Sequence, residues 1–117
     1  METPNDLDAR RRHAAQNQSL FRAANERLES VNEAFRIVLE RMDFACECVD
    51  MNCTEAVTLS IDEYEAIRAH PNRFFVTRGH EVAEVERTVE ENGSFLVVEK
   101  LGGGAAIARQ ADPRSEG

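Results

Sequence analysis

Between Ala14 and Met42 the apolar residues Phe21, Ala24, Leu28, Val31, Phe35, Val38 and Met42 recur at alternating spacings of three and four. That period winds them onto one stripe, so the pattern predicts a long amphipathic helix over 14–42. The spacing is that of a coiled-coil seam. Leu20 and Leu39 widen the stripe, however, and Asn25, Asn32 and Ala34 occupy flanking positions where complementary charges set partner choice in a two-stranded coil. A wide stripe fits packing on the helix's own domain or in a bundle as well as a homodimeric coil. At 1.5 Å per residue the helix would be about 40 Å long, more than a small domain covers. Residues 20–42 are therefore expected to meet a protein partner or a second copy of the chain.

After residue 43 the period shortens. Phe44 to Cys48 and Glu55 to Leu59 are β-prone runs on either side of Val49-Asp50-Met51-Asn52, a hairpin-like knuckle. Ser60-Ile61-Asp62-Glu63 is a capping box that starts a helix over 61–69, with Leu59 and Tyr64 placed as a hydrophobic staple and Pro71 beyond its end. Arg73 to Thr77 reads as a buried strand ending at Gly79, with His80 on the following turn. Val85, Arg87 and Val89 alternate with polar residues, Asn92-Gly93 is a hairpin dipeptide, and Phe95 to Val98 returns. Val82, Val85 and Val89 also fit helical spacing, so residues 82–91 keep a rival helical reading. The expected organisation is a disordered N-terminus (1–13), the long helix (14–42), a small α+β cysteine-containing domain (43–101) with a small mixed sheet and one short helix, and a flexible Gly-rich tail (102–117).

The chain has 117 residues, 42% of them hydrophobic, which suits one domain with a modest core. The net charge of −8 argues against a general nucleic-acid binder and against an anionic membrane surface. No apolar run approaches the roughly 20 residues of a membrane span, and the polar start lacks the apolar segment of a secretory signal. A cytoplasmic location is expected. The Arg10-Arg11-Arg12 run reads as solvated charge, as does an acidic face built from Glu81, Glu84, Glu86, Glu90 and Glu91.

The chemistry is concentrated in the knuckle. Cys46, Cys48 and Cys53 are the chain's only cysteines and fall within eight residues. Three thiolates so close can share one soft metal ion with a fourth ligand, and tetrahedral Cys3His zinc is a common form. The odd count and the Cys-x-Cys spacing suit a reducing compartment better than a disulfide framework. His80, His70, Asp50 and Glu47 are candidates for the fourth ligand. His80 is preferred because it follows a glycine at a strand end, whereas His70 suits the negative end of the preceding helix; His13 lies in the polar start. The expected function is a small, non-enzymatic zinc-binding protein whose long helix engages a protein partner. The alternative is a thiol and zinc redox sensor that loses its metal when the cysteines are oxidised. No Ser-His-Asp order, nucleotide loop or helical His-Glu-x-x-His is present, and Glu47 or Glu81 could serve a zinc hydrolase as base only by proximity in sequence.

The block Phe44-Ala45-Cys46-Glu47-Cys48 with Cys53, the stretch Leu59–Arg68, then Arg73–Glu81 with its Gly79-His80-Glu81, and Phe95–Lys100 together resemble a bacterial family of small proteins without an assigned activity. The resemblance covers roughly residues 15–101. It implies that the cysteines and the Gly-His-Glu turn belong to one unit, and it implies nothing about substrate.

Overall fold

Alternation, not helical spacing, governs the chain around Met42. Arg41 and Asp43 face solvent while Met42 and Phe44 are buried, so Arg41–Ala45 forms strand β1, paired antiparallel with β2 (Ala56–Ser60). Met42 fits both periods, and burial beside Phe44 decides for the strand. The computed structural model describes residues 4–32 and 40–114. Within it the long helix α1 runs from Pro4 to Asn32. The stretch 33–39 of the expected helix lies outside the described residues.

The architecture is α+β. After β2 come α2 (Ile61–Arg68), β3 (Arg73–Thr77), β4 (Glu86–Asn92), β5 (Phe95–Lys100) and α3 (Gly103–Gln110). β1 and β2 make one antiparallel sheet, and β3-β5-β4 make a second. The α2 cap forms as the sequence dictates: the Glu63 amide donates to Ser60 Oγ at 3.0 Å and the Ser60 amide to Glu63 Oε1 at 2.9 Å. Leu59 and Tyr64 on either side of the cap are both buried, and Tyr64 stacks on Phe44 with ring centroids 4.4 Å apart. One core joins Phe44, Val57, Leu59, Tyr64, Phe74, Phe75, Val97 and Val98.

Residues 82–91 resolve toward the hairpin. β4 pairs with β5 around a two-residue turn at Gly93-Ser94, one position later than Asn92-Gly93, and the register shifts between Thr88 and Glu90. That bulge undoes simple alternation. Glu86 is buried, which removes it from the expected acidic face, and Lys100 donates to it at 3.0 Å with both side chains out of solvent.

Helix α1 departs furthest from expectation. It begins ten residues before Ala14, and it docks through its polar face. Ala15, Gln18, Arg22 and Asn25 are fully buried, whereas Leu20 is 60% and Leu28 39% exposed. Arg22 lies 4.5 Å above the Phe74 ring and donates to the carbonyls of Pro71 and Ala108. Gln18 donates to the Glu47 carbonyl and to Glu86, and accepts from Lys100. The apolar stripe therefore points away from the core at Leu20 and Leu28.

Both expected termini take part in the fold where they are described. Asp8 accepts from the Gly103 amide at 2.8 Å, Arg11 donates to the Glu84 carbonyl at 2.8 Å, and Arg10 pairs with Glu84 at 3.0 Å. The polarity of residues 6–12 thus serves docking as well as solvation. The glycine run opens α3, which lies against α1. A Cβ on Gly104 would sit 2.8 Å from the Arg11 carbonyl oxygen, so glycine permits the close approach of the two helices. Farther on, buried Asp112 pairs with Arg68, and Arg114 bonds Glu26 and Glu29 of α1.

Candidate metal centre

The knuckle leaves β1 at Ala45 and returns at Ala56. The Cys46 amide donates to the Glu55 carbonyl at 3.0 Å, extending the β1–β2 pairing by one step. At the tip, Asp50 shapes the turn: its carbonyl accepts from the Cys53 amide at 3.0 Å and its carboxylate from the Asn52 amide at 2.9 Å. This local bonding turns Cys53 back toward Cys46 and Cys48.

The base of the knuckle is anchored separately. The Glu47 amide donates to the Phe75 carbonyl at 2.9 Å, so the knuckle lies against β3. The Glu47 carboxyl is fully buried and accepts from Asn25 Nδ2 at 2.9 Å and from the Phe75 amide at 3.3 Å. Burial pushes its pKa up to about 7, against the pull of Asn25, Arg22 and Arg68. Extended backbone sends Cys46 and Cys48 to one side and Glu47 to the other. Glu47 therefore faces α1 and β3, not the thiols.

The fourth side chain arrives from the end of β3. The His80 amide donates to the Thr77 carbonyl at 2.9 Å, closing a turn in which Gly79 has φ +97°. That is left-handed territory where a side chain is strained. His80 Nδ1 lies 3.5 Å from Cys46 Sγ and 3.6 Å from Cys53 Sγ. The ligand atoms of Cys46, Cys48, Cys53 and His80 all fall within 4.8 Å of one another, a geometry that can hold a metal ion. Cys46 and Cys48 are buried, while Cys53 and His80 are half-buried. The Thr77 amide donates to Cys46 Sγ at 3.2 Å, a bond that would favour the thiolate.

Without a cation, burial holds both inner thiols in the protonated form: Cys46 is raised, and Cys48 is pushed up to about 12. A divalent ion reverses that preference, because coordination deprotonates a thiol. The other candidates are elsewhere. His70 is exposed beyond α2, its backbone bonded to Ile67 and Arg73. Asp50 bonds its own turn, Glu47 faces Asn25, and His13 is exposed on α1. An open groove of about 370 Å³ lies beside the cluster, lined by Cys48, Val49, Asp50, His80 and Val82.

The side chains that sequence reasoning missed are the supports: Asn25, Gln18, Arg22 and the buried Glu86–Lys100 pair. Their partners lie 14 to 86 residues away in the chain, and no local pattern marks them as interior. Among the described residues no helix is long and apolar enough to cross a membrane. Comparison with protein-family models, curated proteins and solved structures returns no match.

Proposed function

We propose that the chain is a non-enzymatic zinc protein in which Cys46, Cys48, Cys53 and Nδ1 of His80 saturate one structural ion. The carrying observation is the spacing of the four ligand atoms. Tetrahedral zinc at about 2.3 Å from sulfur and about 2.05 Å from nitrogen sets N···S separations near 3.6 Å. The Nδ1 distances of 3.5 and 3.6 Å match that value. The ion ties the knuckle to the turn after β3, and a full protein ligand set keeps no position for substrate or a reactive water. Metal-bound thiolates suit a reducing compartment, which supports a cytoplasmic assignment.

The interaction function rests on α1. Its buried polar face fixes the helix to the domain, and Leu20 and Leu28 are left outward for a protein partner or a second copy of the chain. Membership in the bacterial family rests on the knuckle, the capped helix and the Gly79-His80-Glu81 turn, and it is part of the same proposal.

Cobalt(II) substitution tests the ligand set. The wild-type chain should give a tetrahedral spectrum with thiolate-to-metal charge transfer, and Cys53→Ser and His80→Ala should each weaken it and lower affinity. An unchanged spectrum in His80→Ala would remove that residue from the centre.

A further inference from the structure

The three sulfurs are not equivalent toward an oxidant. Cys53 is the half-buried one, and it closes the tip of the knuckle, while Cys46 and Cys48 are buried. Cys46 Sγ is pinned by the Thr77 amide and touches His80. Cys48 Sγ makes a long contact of 3.8 Å to the Asp50 carbonyl and already meets the Cys53 and Cys46 thiols, and its side chain borders the groove beside Val49 and Val82. Cys48 can therefore swing toward Cys53 with less to break. The two residues flank one short turn already drawn together by the Cys53 amide on the Asp50 carbonyl.

Resting on the zinc reading above, we propose that Cys53 is a site of reversible oxidation by a hydroperoxide, resolved by Cys48, and that the resulting disulfide releases the metal. The Cys53 thiolate attacks one peroxide oxygen; the O–O bond breaks, and the departing hydroxide takes a proton and leaves as water, giving a sulfenic acid. The Cys48 thiolate then attacks that sulfur. The S–S bond forms, the S–O bond breaks, and the second hydroxide takes a proton. In sum, two thiolates, one hydrogen peroxide and two protons yield one disulfide and two waters. The sulfurs lose two electrons, the peroxide gains them, and zinc leaves unchanged in oxidation state. Cys46 and His80 alone are too few ligands to retain it.

The structural consequence is confined. The base of the knuckle stays attached through the Glu47 amide on Phe75 and through Asn25, neither of which needs the metal. What comes free is the tip from the turn carrying His80, so the walls of the groove at Val49 and Val82 lose their common tie.

The test uses the full zinc-loaded chain, hydrogen peroxide and a chromogenic zinc chelator, with metal content measured before oxidant is added. Cleavage after glutamate separates Cys46, on a peptide ending at Glu47, from Cys48 and Cys53, which share the peptide ending at Glu55. The expected result is loss of the bound zinc in step with a 48–55 peptide two hydrogens lighter. The Cys46 peptide should be unlinked and open to alkylation, and dithiothreitol with zinc should restore the starting state. Hydrogen exchange should rise over 49–54 and 79–85 and stay low in β2, β3 and β5. Zinc retained under peroxide, a bridge containing Cys46, Cys53 over-oxidised without a bridge, or exchange rising across the whole core would each overturn the proposal. A chain without metal at the outset overturns the zinc reading itself, and that is seen before peroxide enters.

Discussion

Replacing Asn25 by alanine should cost this protein more than replacing any outward leucine on the same helix. The Asn25 amide pairs with the edge of β1 as a neighbouring strand would: Nδ2 donates to the Ala45 carbonyl at 2.8 Å, and Oδ1 accepts from the Ala45 amide at 2.8 Å. Nδ2 also donates to Glu47 Oε2 at 2.9 Å. Asn25→Ala strips partners from two backbone groups and one buried carboxyl. At about 1–3 kcal/mol per buried group left unsatisfied the sum approaches roughly 4 kcal/mol, limited because Glu47 can respond by taking up a proton. Over a urea m-value of about 2 kcal/mol/M the midpoint of the zinc-loaded protein should fall by about 2 M. Leu20→Ala, at a position 60% exposed, should move stability by no more than about 0.5 kcal/mol. An Asn25→Ala loss below about 1 kcal/mol would refute docking through the polar face. So would a Leu20→Ala loss above about 2 kcal/mol, since that is the cost of emptying a packed apolar site.

Three further predictions follow from the centre and its supports. Burial keeps the Cys46 and Cys48 thiols protonated in the metal-free chain, so zinc uptake near neutral pH should release at least two protons and affinity should fall with falling pH. Calorimetry in buffers of different ionisation enthalpy reads the number, and a heat independent of buffer would contradict it. Gly79→Ala, at φ +97° with open space around the added Cβ, should weaken zinc binding by about tenfold through backbone strain of about 1–2 kcal/mol while leaving the ligands in place; unchanged affinity in a competition titration would count against the turn's role. In the metal-free chain Glu47 titrates at about 7 folded against 4.5 for the ordinary group. Its contribution is full below about 4.5 and declines by about 3 kcal/mol as pH rises past 7, because the unfolded state gives up its proton first. Glu47→Gln should remove that slope in denaturation measured from pH 4.5 to 8, and parallel curves for the two proteins would argue against it.

What the sequence discloses depends on how far apart the interacting residues lie. The capping box at Ser60 and Glu63 and the cysteines at 46, 48 and 53 are local, and each carries its own chemistry. His80 was legible through Gly79, whose unusual backbone turns the ring toward the knuckle. The boundary at Met42 was not legible, because that residue satisfies both a helical and an alternating period. Nor was the buried face of α1, since Gln18, Arg22 and Asn25 look like solvent positions until Glu47, Phe74 and Ala45 are brought against them. The glycines before α3 read as a tail for the same reason: what requires Gly104 is the Arg11 carbonyl, at the far end of the chain.

Whether Cys46, Cys48, Cys53 and His80 hold zinc is read from elemental analysis of the tag-free protein purified without chelator, joined to a thiol count before and after denaturation. The expected result is about one zinc per chain and three thiols that stay closed to an alkylating reagent in the folded zinc-loaded protein and are released on unfolding or by peroxide. A metal-free chain with all three thiols reactive in the folded state would contradict it.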